Sequence, residues 1–535
     1  MVYESKYPAK NIPKATSVYD VLFNNDNQVP KDKLIYIDVE DTSKHLTYGQ
    51  VETQIRKAAA GFMREFNLQK GDVVAICSPN QIDYPIVLHG AVCAGGAAAA
   101  IDQMSSVDLI AADLDIVQAK ILIVHWDTLE NSLAAAKIVG LPESNILVFG
   151  DLGFNNVRTV NETILKGNEL AKPVEFSEQE MMNNPAYLYF TSGTTGRKKA
   201  VMITQNNILN SMFLKDDWSI ENLHILAYTE YHHASSLFVV MHLSLYLGFT
   251  TFVMAHYTFP KLCAAIEKFK IKFMATQPFI ISALAKDGVA NEYNLSSLKY
   301  VVCGGAPLDN SVTLTVKKRL GLSILNGYGM TEVLGLFDTN PEITEANGIG
   351  YLAAGFSARL VDDDGNDVPT GEMGELWVKG PTVARGYYRN PEATAATFDA
   401  DGYLHTGDLF KCDENDVFFY VDRSKDLIKY HLYHIYPSDI ENVLMTHPKV
   451  ADCAAIGVYY PEFTTELPRA YVLLVNGEKC TEQVERELRE YADSRLDNEK
   501  RLRGGIVIVD SFPRTASGKI QRRVLRQEAE RSVLA

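Results

Sequence analysis

The chain has 535 residues, of which 47% are hydrophobic and 22% are charged, an ordinary composition for a globular protein. At roughly 100–200 residues per domain, this length predicts two to four structural units. The formal net charge of −16 argues against a nucleic-acid partner, which would require a basic surface. Seven scattered cysteines form no C-x-x-C pair, so they indicate buried, reduced thiols and not a zinc or redox motif.

Neither end of the chain carries a recognisable targeting signal. Glu4, Lys6 and Lys10 interrupt the N-terminus, so we expect no signal peptide, and residues 532–535 are not the S-K-L peroxisomal signal. Residues 234–255 are uncharged and long enough to raise the question of a membrane span. Because this stretch contains His242 and a central Gly248, a buried helix followed by a glycine stop and a buried strand fits better. We expect a cytoplasmic protein without a transmembrane segment.

The first four hundred residues alternate between helical and strand patterns. Thr47 and Gln50 form a capping-box signature, and apolar residues recur behind it at helical spacing. Short apolar runs predict strands at residues 73–77, 121–124, 146–149, 187–190, 225–228, 251–254 and 300–303. This alternation predicts an α/β protein whose parallel-rich sheets are flanked by helices.

The pattern of predicted helices and strands changes twice in the last third of the chain. From Gly355, short strands separated by turn residues predict a small β-barrel-like subdomain over residues 355–424. After that, helices at 438–445 and 481–496 and strands at 451–458, 470–475 and 506–509 predict a compact α+β unit. We therefore expect an N-terminal domain over residues 1–424 and a C-terminal domain over residues 425–535.

The strongest chemical signal follows the predicted strand 187–190. Small hydroxyl and glycine residues crowd a turn and basic residues follow: Thr191, Ser192, Gly193, Thr194, Thr195, Gly196, Arg197, Lys198 and Lys199. Glycines let backbone N–H groups approach an anion, hydroxyls donate to its oxygens, and lysine adds a positive charge. The loop therefore suits a polyphosphate, although its spacing is not that of a Walker A loop. The alternative is a flexible polar loop.

Three further segments carry candidate binding groups. Tyr328 stands between glycines where it could stack on a planar base, and Thr331 and Glu332 offer oxygen ligands for Mg²⁺. Asp408 follows a tight turn and could accept both hydroxyls of a ribose, with Arg423 nearby to orient the sugar or a phosphate. Taken singly, these segments could equally be a turn with a buried tyrosine and surface turns with ion pairs.

The fourth segment is a small-residue loop near the C-terminus that ends at Lys519. A lysine on such a loop can reach a charge that develops in a transition state. The alternative is a basic tail.

Together and in this order, the segments resemble the adenylate-forming superfamily of acyl-CoA synthetases, firefly-type luciferases and peptide-synthetase adenylation domains. Residues 427–430 and 502–505 are most similar to the 4-coumarate–CoA ligase and luciferase branch. The resemblance implies that the 191–199 loop binds the phosphates of ATP and that Glu332 holds Mg²⁺. It assigns the rest of the nucleotide site to Gly305, Ala306, Pro307, Tyr328, Gly329, Met330, Thr331, Asp408, Arg423 and the hinge residue Lys425.

The resemblance also implies a two-step reaction. A carboxylate attacks ATP to form acyl-AMP, assisted by Lys519 and by the Thr191 hydroxyl. The C-terminal domain then rotates about Lys425, and the face carrying Lys429 supports attack by CoA. His233 corresponds to a gate position, although a lone histidine is more often a satisfied core residue. The implied acyl pocket, expected to take an aryl or medium-length acid, comprises Tyr231, His232, His233, Ser236, Gly304, Gly329, Met330 and Val333.

The sequence departs from the usual pattern of these enzymes at three positions. Lys198 and Ala200 replace a proline and a glycine, and Leu432 replaces a glycine in the segment that lines the pantetheine path. The change at Leu432 leaves two other outcomes open: transfer of the acyl group to an amine, and luciferase-like oxidation. A non-catalytic nucleotide-binding homologue is a further alternative, which the retention of Lys519 and Glu332 argues against.

Overall fold

The computed structural model describes residues 1–23, 28–150, 157–191, 198–214, 223–308, 310–475, 477–515 and 518–534. Within these residues the chain forms two large sheets flanked by helices, a smaller antiparallel sheet and a C-terminal α+β unit. This arrangement confirms the predicted α/β class.

The first large sheet has seven strands, all parallel to their neighbours except for one antiparallel edge pair. Its central strands are apolar along their whole length because helices cover both faces, which is the pattern expected of parallel sheets. In spatial order the strands are Lys199–Thr204, Pro185–Thr191, Ala97–Ile101, Val73–Cys77, Ile121–Val124, Ile146–Val148 and Arg158–Thr159.

The second large sheet also has seven strands and is parallel except for the hairpin at one edge. Gly304 and Gly327 end two neighbouring strands and are paired in register. The loops that follow these strands therefore leave the same edge of the sheet side by side. In spatial order the strands are Ser323–Gly327, Tyr300–Gly304, Phe273–Thr276, His224–Ala227, Thr250–Val253, Leu34–Asp38 and His45–Thr47.

Local sequence signals explain where several of the helices begin and end. The helix Tyr48–Phe66 starts at the predicted capping box, in which Thr47 and Gln50 each accept from the other's backbone N–H. The principal helices of this part are Val18–Phe23, Tyr48–Phe66, Tyr84–Cys93, Val107–Val117, Leu129–Val139, Glu178–Asn183, Gln205–Met212, Phe259–Phe269, Pro278–Lys286 and Asn310–Leu320. Shorter helices are Val160–Thr163, Pro341–Glu345 and Pro391–Thr397.

The uncharged stretch 234–255 has the predicted buried arrangement. Helical turns run over Ala234–Ser236, Leu237–Leu243 and Ser244–Tyr246, and the strand Thr250–Val253 follows. Gly248 between them has a φ of +66°, a conformation that L side chains rarely adopt. No helix in the described ranges combines the length and the apolar character that crossing a bilayer requires.

The antiparallel subdomain is a five-stranded sheet in which every neighbouring pair is antiparallel. Its strands, in spatial order, are Val2–Glu4, Ser357–Val361, Met373–Lys379, Leu404–Cys412 and Phe418–Arg423. The N-terminal strand lies outside the predicted range 355–424 and completes one edge. A two-stranded ribbon of Phe337–Asp338 and Tyr351–Leu352 connects this sheet to the second large sheet.

The C-terminal unit has its own apolar core. It contains a hairpin, Ile428–Tyr430 and Tyr433–Ile435, and a sheet of Val450–Tyr460, Thr465–Leu474 and Ile506–Val509. Its helices are Pro437–Met445, Glu482–Asp493 and Arg522–Leu534. The division of the chain between residues 424 and 425 stays a prediction.

The C-terminal unit packs against the helix Pro278–Lys286 of the N-terminal part. The Lys286 ammonium donates to the backbone oxygens of Met445 and Val450 at 2.8 and 2.7 Å, and the Ser282 hydroxyl donates to that of Ala451 at 2.9 Å. These bonds fix one orientation of the unit. All seven cysteines are free thiols, and six of them are buried while Cys480 is exposed.

Candidate active site

Asp408 and Arg423 are direct cross-strand partners in the antiparallel sheet. The Arg423 Nε lies 3.0 Å from Asp408 Oδ1, and the Tyr328 hydroxyl donates to Asp408 Oδ2 at 2.6 Å. The Asp408 side chain is buried, and its Oδ1 has no hydrogen bond of good geometry despite the nearby arginine. This oxygen can therefore accept a hydroxyl from a ligand without breaking an existing hydrogen bond.

Tyr328 follows the strand that ends at Gly327, beside the loop that contains Gly305, Ala306 and Pro307. The two strand ends approach so closely that a Cβ on Gly304 would lie 2.6 Å from the Gly327 carbonyl oxygen, which explains the glycine. Residues 305–307 are exposed and Tyr328 is partly buried. Burial and the neighbouring Asp408 raise the pKa of Tyr328 well above its ordinary value, so its hydroxyl remains a donor. In open α/β sheets, ligands bind at this edge.

Glu332 is a buried carboxylate that accepts a hydrogen bond from the Tyr387 hydroxyl at 2.7 Å. Burial raises the pKa of Glu332, while the Tyr387 bond and the charges of Lys199 and Lys519 oppose that rise. No group of three acidic, histidine or cysteine side chains among the described residues could hold a metal alone. Mg²⁺ at Glu332 would thus need phosphate and water oxygens, as Mg²⁺ ordinarily does.

Lys519 reaches this group from the C-terminal unit. Its loop is fixed by Gly518, whose φ is +77° and whose Cβ, if present, would lie 3.0 Å from the Phe279 ring. Burial and the charge of Arg423 lower the pKa of Lys519 to about 8, against the opposing effects of Asp408 and Glu332. In this docked orientation the charge of Lys519 therefore interacts with two carboxylates of the other unit.

Lys429 and Lys425 have different surroundings. Lys429 is exposed on the C-terminal hairpin, where its backbone N–H donates to Glu466 Oε2 at 2.8 Å. The contacts described for it lie within the C-terminal unit and not at the Asp408–Glu332 group. Lys425 is an exposed residue two positions after Arg423, and partial desolvation together with the charges of Lys199 and Arg423 lowers its pKa. Leu432 projects from the hairpin with 98% of its surface exposed.

The predicted acyl-pocket residues fall into two groups. The rings of His232 and His233 are tilted by 51° with centroids 4.2 Å apart, and His233 Nε2 lies 3.5 Å from Glu230 Oε2. His232 is buried with both ring nitrogens lacking hydrogen bonds, and burial lowers its pKa well below the ordinary value, which makes it neutral. In contrast, Tyr231 and Val333 are packed in apolar cores, and the Ser236 hydroxyl is satisfied by Thr229.

The remaining predicted positions lie around the phosphate loop and the 328–333 segment. Thr191 ends its strand and pairs in register with Lys199, which begins the next. Met330 and Val333 form a short backbone bridge; Thr331 lies within the turn that it closes, and the exposed Gly329 immediately precedes it. Six residues of the predicted phosphate-binding loop lie outside the described part of the chain: Ser192, Gly193, Thr194, Thr195, Gly196 and Arg197.

Two residues of this region were missed by the analysis of the sequence. Tyr387 bonds to Glu332 and receives the Lys199 ammonium 4.2 Å from its ring centroid, and Asn80 accepts from the backbone N–H of Tyr231 at 2.9 Å. Tyr387 is 55 residues from Glu332, and Asn80 is 151 from Tyr231. Neither has a local motif, so only the tertiary fold could reveal them.

The fold and the grouping of these residues define a nucleotide-binding enzyme with a separate C-terminal unit. Residues 22–388 match the AMP-binding enzyme family, and residues 439–519 match the AMP-binding enzyme C-terminal domain. The chain therefore belongs to the AMP-binding enzyme family, as the sequence motifs predicted.

Similar proteins extend over nearly the whole chain. It is 32% identical over 518 residues to phenylacetyl-CoA ligase epaB of Aspergillus niger, covering 93% of this chain and 94% of that protein. It is 30% identical over 543 residues to 4-coumarate-CoA ligase 1 of Narcissus pseudonarcissus, covering 98% and 96%. The crystal structure of the anthranilate CoA ligase AuaEII with anthranoyl-AMP shares the fold, with a TM-score of 0.89, 22% identity and coverage of 98% and 99%.

Proposed function

We propose that this protein is an AMP-forming acid–CoA ligase, which activates a carboxylic acid with ATP and transfers the acyl group to CoA. The observation that carries the proposal is the meeting of Lys519 with Asp408, Arg423 and Glu332 across the two units. Full-length similarity to proteins named as phenylacetyl-CoA and 4-coumarate-CoA ligases supports the same conclusion.

The first half-reaction needs binding groups more than proton transfer. A carboxylate is already ionised near neutral pH, so it can attack the α-phosphorus of ATP without a general base. Asp408 Oδ1, which faces Arg423 but has no hydrogen bond, would accept from the ribose, and Tyr328 and the exposed backbone at 305–307 would hold the base. Lys519 and the Thr191 hydroxyl would stabilise the negative charge that develops on the phosphorus.

Glu332 is the side chain that would hold Mg²⁺. The ion, when bound, would neutralise phosphate charge and orient the pyrophosphate leaving group. The residues around Glu332 support this role because Tyr387 fixes one carboxylate oxygen and Lys199 and Lys519 favour the ionised form. Thr331, predicted as a further oxygen ligand, lies in the same turn.

The second half-reaction would require a different orientation of the C-terminal unit. Lys429 is on an exposed hairpin in the docked orientation, so it can act only after the unit has turned. Rotation about Lys425 would withdraw Lys519 and present the hairpin with Lys429 and Leu432. One site could then serve adenylation and thiol attack in succession.

The acyl substrate would be an aryl or medium-length acid. The buried, neutral His232, whose ring nitrogens have no hydrogen bonds, and the adjacent His233 could contact a polar substituent of the acid. The decisive experiment measures pyrophosphate release and acyl-AMP across a panel of acids, with and without CoA. Acid-dependent pyrophosphate release with thioester formation is expected; no release with any acid would refute the proposal.

A further inference from the structure

Lys198 is anchored in a way that its position in the motif does not predict. It stands just before the strand Lys199–Thr204, where similar enzymes usually have proline. Its ammonium lies 2.8 Å from Asp113 Oδ2 and donates to the Ser105 hydroxyl at 3.2 Å. Asp113 is on the helix Val107–Val117 and its side chain is only 1% exposed. The residue just before this strand is therefore tied to a helix that packs on the first sheet.

A contribution to stability alone does not explain this ion pair. Burial raises the pKa of Asp113 to about 6 against the favourable effect of Lys198, and Asp113 Oδ1 has no hydrogen-bond partner. The negative charge of Asp102 raises the pKa of Asp113 further, and the positive charge of Lys198 lowers the pKa of the neutral His232. Because such buried pairs are often no more stabilising than apolar residues of similar size, another role is indicated.

The strand that Lys198 anchors is connected to Glu332 through the residues that lie between them in space. The next residue, Lys199, places its ammonium 4.2 Å from the centroid of the Tyr387 ring, and Tyr387 donates to Glu332. Backbone hydrogen bonds make the same connection. The Tyr388 N–H donates to the backbone oxygen of Ala200 at 2.7 Å, and the Ala384 N–H donates to the backbone oxygen of Glu332 at 2.8 Å. A shift of the strand would thus move both Lys199 and the carboxylate.

We propose that Lys198 is a positioning residue, which Asp113 and Ser105 hold in place so that Lys199 and Glu332 are aligned for MgATP. A proline at this position would restrict the backbone covalently by fixing φ. Lysine removes that restriction, and the ion pair to the buried helix supplies a non-covalent one. The inference deepens the proposed function by naming the part of the fold that sets the nucleotide site.

The test is the dissociation constant of MgATP, measured by isothermal titration calorimetry with the full chain. Lys198→Met should weaken binding on the order of tenfold, the lower end of the usual scale for losing a residue that positions a metal site from its outer shell, whereas Lys198→Arg should bind like the wild type. Asp113→Asn should also weaken binding. That result separates positioning from direct contact, because a lysine that touched the phosphates itself would bind as tightly or more tightly once freed from Asp113.

Two further variants keep the test independent of folding. Lys198→Met with Asp113→Leu removes both charges together, so it should recover thermal stability without recovering MgATP affinity. Lys120→Met is the matched control, since Lys120 pairs with Asp72 at 2.6 Å at the opposite end of the same sheet; its MgATP affinity should be unchanged. Wild-type affinity in the double variant, or equal weakening by Lys120→Met, would overturn the proposal.

These measurements do not depend on the acid or on CoA. A wild type that binds MgATP but activates no acid would refute the ligase function, and the MgATP affinities of the variants would still test the role of Lys198. Conversely, a working ligase whose Asp113→Asn variant keeps wild-type affinity would refute only the role of Lys198.

Discussion

At the scale of single residues, the site depends on charges that are held apart in the sequence and brought together by packing. Asp408 is buried with one carboxylate oxygen bonded to Tyr328 and the other facing Arg423. Burying a charge is costly unless it is paired, so this arrangement is maintained by its partners. Lys519 completes the group only because the C-terminal unit is docked.

Replacement of Lys519 by alanine should impair adenylation selectively. We expect acyl-AMP formation to fall on the order of a hundredfold or more, the usual scale for losing one contact to a transition-state charge. ATP binding and folding should change little, because Lys519 lies on a loop outside the helices and strands of its unit. Pyrophosphate release under single-turnover conditions measures the effect, with Lys429→Ala as the matched control, and a wild-type rate in Lys519→Ala would remove this lysine from the mechanism.

The same lysine predicts a pH dependence. Since burial beside Arg423 lowers the pKa of Lys519 to about 8, the ammonium is charged below that pH and neutral above it. The adenylation rate should therefore fall as the pH rises through about 8, in a range where a carboxylic acid substrate stays ionised. The measurement is the rate of pyrophosphate release at saturating ATP and acid.

Lys519→Arg provides the control for this pH profile. A guanidinium stays charged throughout the range, so the decline above about pH 8 should disappear even if the rate is lower at every pH. A decline of unchanged position in Lys519→Arg would assign the titration to another group.

At the scale of elements, the hairpin that carries Leu432 bears on which acceptor takes the acyl group. Leu432 is 98% exposed, and the residue with left-handed backbone in this turn is His431, at φ +52°. The leucine therefore needs no glycine-like conformation, and only its four side-chain carbons distinguish it from the glycine of similar enzymes. Whether these carbons obstruct the path of a thiol depends on where the hairpin lies after rotation.

Leu432→Gly tests this obstruction. If the leucine enters the path of pantetheine, the wild type should adenylate much faster than it forms thioester, and the variant should close that gap. The reason is that the thiol must reach attack distance, about 3–3.5 Å, and a protruding side chain prevents this. Quenched-flow comparison of pyrophosphate and thioester formation from one acid gives both rates. Equal rates in the wild type would exclude the obstruction and leave CoA as the natural acceptor.

The sequence predicted elements whose signal is local and missed those defined by distant partners. The strands Val73–Cys77, Ile121–Val124 and Ile506–Val509 have the predicted bounds because each is a continuous apolar run. The strand Lys199–Thr204 was missed, since it begins with a lysine and is held by antiparallel pairing and by residues 385–388. Its importance for Glu332 comes through Tyr387, which no local pattern marks.

For the candidate site, too, the sequence predicted some residues and could not reveal the surroundings of others. Motif order predicted Asp408, Arg423, Glu332 and Lys519, and the structure brings these four together. Motif order could not show that Tyr231 and Val333 lie in packed cores, because an apolar residue near a pocket has the same local pattern whichever way it points. Nor could it show the tie between Lys198 and Asp113, which are 85 residues apart.

At the scale of the whole molecule, the docked orientation is one of two that the proposed reaction requires. The polar bonds between the described residues of the two units include those of Lys286 and Ser282, one from the Ser438 backbone N–H to Asp422 Oδ2 at 3.0 Å, and one from the Ser438 hydroxyl to the Val421 oxygen at 3.2 Å. Interfaces of this kind between units of one chain ordinarily permit relative motion. The predicted hinge between the units lies just after Arg423, where a short helical turn covers Ser424–Asp426.

Lys425→Pro should separate the two half-reactions. Proline fixes φ, so it would hinder rotation at this position while leaving the docked orientation able to adenylate. We expect pyrophosphate release within about twofold of the wild type and a fall in thioester formation of at least about tenfold, the scale on which conformational steps limit turnover. Pre-formed acyl-AMP is offered with CoA to the wild type, to Lys425→Pro and to the control Lys425→Ala. Equal turnover by all three would place the hinge elsewhere.

The distribution of the cysteines has a practical consequence for observing this motion. Six thiols are buried, and the exposed one, Cys480, is on the C-terminal unit. Because buried thiols react slowly with maleimides, the natural chain offers a single attachment point for a fluorescent dye without any cysteine being replaced. Paired with a fluorescent ATP analogue as energy-transfer acceptor, a dye at Cys480 would report the rotation of the unit in real time as each substrate is added.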